Sequence, residues 1–221
     1  MKWFWFRKKY SENHPEFWKE YIDSFDKKIK KPIHETRFIA FDTETTGFDK
    51  KNDRILSLGA VEIINKTIKA NNTLEIYIKQ DVFNPETVKI HGILKDGDLE
   101  KVSEIEAIQH FLDYIRNDVL IAHHAGFDYG MVNEMLLRHG LGKLKNDFID
   151  TGVLFSKSKH IIYHENLKKH YTLDDLCIEL NVSMADRHTS IGDALITALV
   201  FLKTMARLDK RNVLKWDYLL K

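Results

Sequence analysis

Cysteine and proline are scarce in this chain. Its single cysteine, Cys177, excludes an intramolecular disulfide, and its 3 prolines leave no stiff proline-rich linker to divide the 221 residues. Neither sign of charge is in excess. The 34 Lys and Arg against 33 Asp and Glu give a net +1, so charge balance alone announces neither a basic nucleic-acid coat nor an acidic tail. A neutral total still leaves room for a basic groove around an acidic metal site. No apolar run reaches membrane-spanning length. The stretch Trp3-Phe4-Trp5-Phe6 is flanked by Lys2 and Arg7 and is too short for a signal peptide. Repeats and low-complexity tracts are absent. A lone thiol within apolar sequence reads as a small buried residue of a protein in a reducing compartment. The expected location is cytoplasmic, with no membrane partner.

What remains is ordinary globular material. Hydrophobic residues make up 43% and charged residues 30%, enough for one sizeable domain with an extension. The spacing predicts a helix over 13–29, capped by Asn13, with Phe17, Trp18, Tyr21, Ile22 and Phe25 on one face. That stripe either packs on the main domain or docks to a partner or a second copy, and Trp3 and Trp5 add aromatic surface. The divisions expected are a basic, aromatic helical extension over 1–36, a main domain over 37–208 and a tail over 209–221. Within the main domain, strands are expected over 38–41, 55–64 and 73–79, an antiparallel meander. Helix and strand then alternate: helices over 105–116, 129–139, 173–180 and 189–208, and strands over 119–122 and 148–150. Thr172 and Asp175 form a capping-box pattern. The fold class is α/β, a mixed five-stranded sheet of three antiparallel strands and then βα units, flanked by helices.

Three segments carry chemistry. Asp42-Thr43-Glu44 follows the first apolar strand, and residues two apart on an extended chain share a face. Two neighbouring carboxylates stay ionised with difficulty unless a cation joins them, and Mg²⁺ prefers such oxygen ligands. Alone, Asp-x-Glu is usually a solvated turn. Asp128 opens a helix after the strand 119–122, where a carboxylate already suits the helix dipole. Asp193 sits in the first turns of an otherwise apolar helix, where a charge needs a partner. His188, five residues earlier, resembles any surface histidine. Jointly, four acids and a histidine arrive at strand ends and helix starts, the edge where open sheets build sites. Phosphodiester hydrolysis by two metal ions and a base near neutral pKa asks for this inventory.

The segments Phe41-Asp42-Thr43-Glu44-Thr45-Thr46-Gly47, His123-His124-Ala125-Gly126-Phe127-Asp128 and His188-Thr189-Ser190-Ile191-Gly192-Asp193-Ala194 resemble the three motifs of the DEDDh exonucleases. The nearest likeness is to the DnaQ-like branch, typified by the epsilon proofreading subunit of bacterial DNA polymerase III. The likeness runs from about Phe38 to Phe201, with Ile90-His91-Gly92-Ile93, Phe148-Ile149-Asp150-Thr151 and Tyr171-Thr172-Leu173-Asp174-Asp175-Leu176-Cys177 as lesser landmarks.

The resemblance implies an RNase H-like fold and two divalent cations, Mg²⁺ or Mn²⁺. It implies that Asp42 bridges both ions, that Glu44 and Asp193 ligate the one beside the nucleophile, that Asp128 holds the second and that His188 is the general base. Thr45, Thr46, His91, His124 and Phe127 fall where the family contacts its substrate. The implied reaction is 3′→5′ removal of nucleoside 5′-monophosphates, on single-stranded or frayed DNA in proofreading or repair, with a DNA polymerase or other replication protein as partner. An RNA-trimming enzyme and a non-catalytic polymerase-binding module share the fold, and a glycosidase also uses paired carboxylates. Two departures stand out: His124 replaces the usual Asn and Ser190 a common Ala. The basic stretch 157–169, with Lys157, Lys159, Lys168, Lys169, His160 and His164, reads as a solvated loop or as a phosphate-contacting flap.

Overall fold

The strand Phe38–Thr45 (β1) sets the architecture, because its two rows of side chains feed two different cores. The computed structural model describes residues 10–27, 31–159, 170–210 and 214–220. Around β1 lie β2 (Ile55–Ile64), β3 (Thr67–Ile78), β4 (Lys101–Val102), β5 (Val119–Ala122) and β6 (Phe148–Asp150), in the sheet order β4-β3-β2-β1-β5-β6. The meander β1-β2-β3 is antiparallel, whereas β5 pairs parallel with β1 and β6 parallel with β5. Six strands replace the five expected. The addition, β4, is a two-residue edge strand parallel to β3, too short to leave a periodic signal.

Helices cover both faces: α1 (Glu16–Ser24), α2 (Pro85–His91), α3 (Glu104–Ile115), α4 (Gly126–Arg138), α5 (Thr151–Ser158), α6 (Leu173–Leu180), α7 (Ser190–Asp209) and α8 (Trp216–Leu219). One core joins Ile39, Phe41, Leu58, Ala60, Leu120 and Ala122 to α1, α3 and α4. The other joins Phe38, Ala40, Val61, Ile63, Val119 and Ile121 to α7. The alternation along β1 and β5, and along β2 from Leu58 onward, is the period-two signature of strands covered on both sides.

The aromatic stripe of α1 belongs to the first core. Trp18, Tyr21 and Ile22 are buried, with Phe17 and Phe25 packed at the margin. Each buried side chain contributes about 2 kcal/mol by area. The Tyr21 hydroxyl donates to Asn146 Oδ1 at 2.7 Å and accepts from the Lys145 N–H at 2.8 Å. Of the two readings of the stripe, packing on the main domain is therefore the observed one. Trp3 and Trp5 lie outside the described residues. The helix starts at Glu16, with Pro15 at its cap and no side-chain cap, rather than at Asn13. Residues of the expected tail also pack: α8 places Trp216 on Phe38, and the Trp216 indole donates to the Lys31 carbonyl at 3.0 Å.

Backbone irregularities shape the sheet. Asn65 and Lys66 take φ of 50° and 60° in the β2-β3 hairpin, the pattern of a two-residue turn with both centres left-handed. Strand β3 consequently starts at Thr67 instead of 73, with a break in register between Val61 and Glu62. A second irregularity lies beside the carboxylates: Glu44 faces Ser57 but Thr45 faces Ile55, so Leu56 is an extra residue in β2. Helix α2, capped by Asn84, and α5, capped by Asp150, were not expected; both are short. The Thr172/Asp175 capping box is present.

Candidate active site

Asp42 and Glu44 share the face of β1 that carries Phe38 and Ala40, and that face meets α7. A glycine makes the approach close. Gly59 pairs with Asp42 across the ladder, and a Cβ there would come within 2.2 Å of the Ser190 backbone. The first turn of α7 therefore rests directly on β2. Ser190 and Ser57 join their hydroxyls in a short hydrogen bond, which gives the departure from Ala at 190 a structural partner. Thr189 caps the helix by accepting from the Gly192 N–H at 3.1 Å. These contacts bring Asp193 over β1, and carboxylate oxygens of Asp42, Glu44 and Asp193 all lie within 4.8 Å of one another.

Asp128 reaches the same end of β1 from α4, on the other side of the sheet. It is buried, and its Oδ1 accepts from both the Thr43 N–H at 3.0 Å and the Thr43 hydroxyl at 2.6 Å. The middle residue of Asp-Thr-Glu thus anchors the fourth carboxylate. Sequence reasoning missed this role, because the pair is 85 residues apart.

Electrostatics follow from crowding in a dry place. Burial, then Asp128, Asp193 and Glu44, push the Asp42 carboxyl well above the usual carboxylate range. Burial, then Asp193 and Asp128, push Glu44 up to about 7. Burial raises Asp128 to about 7 against the opposing pull of the Thr43 hydrogen bonds. Asp193 Oδ1 is buried without a hydrogen-bond partner among the described residues. An all-oxygen set this short of positive charge fits a hard divalent cation.

One cation does reach the cluster from the protein itself. Arg187 donates through Nη1 to Asp193 Oδ2 in a short contact and through Nε to Asp174 Oδ1 at 2.8 Å. Arg187 was not among the expected site residues. Its only sequence signal is its place immediately before His188. The backbone N–H of His188 also donates to Asp193 Oδ2 at 3.3 Å, while the side chain is exposed and the residue takes a φ of 66°.

The remaining expected residues take several places. Thr46 is fully buried; its hydroxyl donates to Asp53 Oδ1 at 2.7 Å and accepts from the Arg54 N–H at 3.0 Å. Thr45 donates to the Gly47 carbonyl at 2.7 Å. Both hydroxyls therefore shape the loop after β1. His91 is buried at the end of α2, its Nδ1 accepting from the Ile93 N–H at 3.0 Å and its Nε2 without a hydrogen-bond partner among the described residues; burial lowers its pKa. Helix α2 is tied to the end of β1 by Asn84, whose amide donates to the Thr46 carbonyl at 2.9 Å. Phe127 sits 5.9 Å from the ring of Phe48, which is 82% exposed.

His124 takes a φ of 52° and stacks on His123 with centroids 4.3 Å apart. Both Asn and His are enriched in this left-handed region, a physical reason for either to stand there. His123 bonds Thr151 Oγ1 at 3.0 Å, and burial, with His124 next, pushes its pKa down to about 4. Asp150 joins β6 to this loop, accepting from the Ala125 N–H at 2.8 Å.

Lys157 and Lys159 both have protein partners. Lys157 donates to the Tyr218 carbonyl at 3.4 Å, and Lys159 pairs with Glu179 at 3.1 Å while lying over the rings of Phe155 and Tyr171. His160, His164, Lys168 and Lys169 lie outside the described residues.

A mixed sheet with helices on both faces, and carboxylates converging at the end of its central strand, defines a nuclease-type hydrolase. Residues 39–201 match the exonuclease family model RNase_T, and the chain belongs to that family. It is 33% identical over 177 residues to the DNA polymerase III subunit epsilon of Salmonella typhimurium, covering 76% of this chain and 70% of the relative. It is 33% identical over 184 residues to a PolC-type DNA polymerase III of Caldanaerobacter subterraneus, covering 81% of this chain but 12% of that polymerase. Among solved structures, E. coli exonuclease I in complex with a dT13 oligonucleotide shares the fold, with a TM-score of 0.67 at 14% identity; 80% of this chain and 43% of that one are covered. Among the described residues no helix is long and apolar enough to cross a membrane.

Proposed function

We propose that this chain is a 3′→5′ exonuclease acting on single-stranded or frayed DNA, with two divalent cations, Mg²⁺ or Mn²⁺, in proofreading or repair. The observation that carries the reading is the convergence of Asp42, Glu44 and Asp193 within 4.8 Å, with Asp128 anchored by Thr43 at the same strand end. Relatives named as polymerase subunits and a neighbour bound to an oligodeoxynucleotide support DNA as substrate and a DNA polymerase as partner.

Asp42, Glu44, Asp193 and Asp128 would hold the cations. Bound there, the cations supply Lewis acidity to the phosphodiester and lower the pKa of the attacking water. The exposed His188 imidazole takes the proton from that water as it attacks phosphorus. The bond from phosphorus to the 3′-oxygen of the preceding nucleotide breaks with its electron pair going to that oxygen, which takes a proton from solvent, and a nucleoside 5′-monophosphate leaves. Thr45 and Thr46 shape the loop that borders the terminal nucleotide, with His91, His124 and Phe127 around it.

The test is digestion of matched 5′-labelled DNA and RNA oligonucleotides with Mg²⁺ or Mn²⁺ and with EDTA. A ladder shortening from the 3′ end of DNA, abolished by EDTA, is the expected result. Consumption of RNA alone would make the chain an RNA-trimming enzyme, and activity that survives EDTA would refute the metal-dependent reading.

A further inference from the structure

The two oxygens of Asp193 have different surroundings. Oδ2 accepts from the Arg187 guanidinium and from the His188 N–H, whereas Oδ1 is buried and has no hydrogen-bond partner among the described residues. The same guanidinium reaches Asp174 in the first turn of α6 through Nε, at 2.8 Å. Arg187 lies between Asp186 and His188, whose φ values of 63° and 66° are left-handed. Asp and His adopt that conformation more readily than most non-glycine residues, and here it turns the chain so that Arg187 faces both α6 and the cluster. The arginine fork is the contact that ties this segment at once to α6 and to the carboxylate cluster.

We propose that Arg187 is a positioning residue that sets the cation affinity of the cluster. Its guanidinium competes with a divalent cation for Asp193 Oδ2, leaves Oδ1 as the ligand atom and holds the His188 segment against the site. This deepens the nuclease reading and rests on it. A guanidinium on one oxygen repels a dication at the other across a few ångströms of poorly solvated space. It also occupies lone pairs that would otherwise allow Asp193 to bind in bidentate fashion. Asp174 restrains the arginine by drawing it toward α6. Removing Asp174 leaves the guanidinium to the cluster alone, so the two ends of the fork act on cation affinity in opposite directions.

The test is Mn²⁺ titration of the full chain without nucleic acid, followed by the electron paramagnetic resonance signal of unbound Mn²⁺. Arg187→Met removes that repulsion and should bind Mn²⁺ about tenfold more tightly than the wild type. Arg187→Lys keeps the charge and should stay within about threefold of the wild type, and Asp174→Asn should bind about threefold more weakly. Local loosening of the segment would instead shift Arg187→Met and Asp174→Asn the same way, and that result overturns the proposal. Unchanged or weaker binding by Arg187→Met overturns it as well, while leaving the metal-dependent reading in place. Wild-type binding no greater than that of Asp42→Asn would overturn both.

Discussion

The two ends of β1 both collect buried and half-buried acids, and they treat them differently. At the start of the strand, Glu62 and Asp118 flank one arginine: Arg37 donates Nε to Glu62 at 2.8 Å and Nη1 to Asp118 and to the Tyr114 carbonyl. Two carboxylates share one guanidinium there, and Asn72 adds a further hydrogen bond to Glu62. At the other end, Asp42, Glu44, Asp128 and Asp193 converge, and Arg187, itself shared with Asp174, is the guanidinium that meets them. Buried carboxylates are thus no functional signal by themselves. The signal is a shortage of positive charge where several of them meet, which makes room for cations from solution.

The largest test of this contrast removes a carboxylate from the undercharged end. Asp42→Asn should reduce nuclease activity on the order of 1000-fold or more while leaving the melting temperature in EDTA unchanged or higher, since it relieves repulsion. Parallel activity and melting measurements check both halves. A large loss of stability would mean that the acids are structural.

At the other end the expectation reverses. Arg37→Met strands Glu62 and Asp118 and should destabilise the fold by about 3 kcal/mol, read from urea unfolding. Unfolding at the wild-type midpoint would show that the start of β1 is no better compensated than its end.

The pH dependence separates the two ends further. Glu44 and Asp128 have folded pKa values of about 7, above their ordinary 4.5 and 3.8, so the folded chain binds their protons more tightly than the unfolded one. Their contribution to stability is therefore full below the unfolded values and is lost as pH rises through about 7. In EDTA the melting temperature should fall between about pH 5 and 8. Mn²⁺ should flatten or reverse that trend, and Asp42→Asn should make it shallower. A melting temperature that rises steadily over this range in EDTA would contradict the crowding.

The smallest expected effect concerns placement. Ser190→Ala leaves the Ser57 hydroxyl without its partner and should cost about 1 kcal/mol, and Ser57→Ala made together with it should recover most of that. A double-mutant cycle on urea midpoints measures the coupling, and strict additivity would deny that this bond helps to seat α7.

Some of this site was legible in the chain because local geometry was enough. Alternation along β1 puts Asp42 and Glu44 on one face whatever the rest does, and Asp193 stands out as a charge in an apolar helix. His188 and Asp128 offered no such local signal; their candidacy came from the motifs. Thr43 as the anchor of Asp128 was invisible, since its partner is 85 residues away. The pairing of Arg187 with Asp193 was close in sequence but depended on the left-handed turn between them. The 13–29 stripe announced an apolar face without its destination, which the packing of Trp18, Tyr21 and Ile22 supplied.

By itself the amino-acid sequence determined the mixed sheet, the faces of its strands, most helix positions and the inventory of acids, because these follow from short-range periodicity and capping. Only the tertiary structure decided which acids meet, which of them carry hydrogen bonds and where Arg187 lies. Those depend on the close approach at Gly59 and on contacts across the sheet. Desolvation and charge repulsion exist only between groups that folding has already brought together, so the shortage of positive charge at the end of β1 is a property of the fold and not of any one segment.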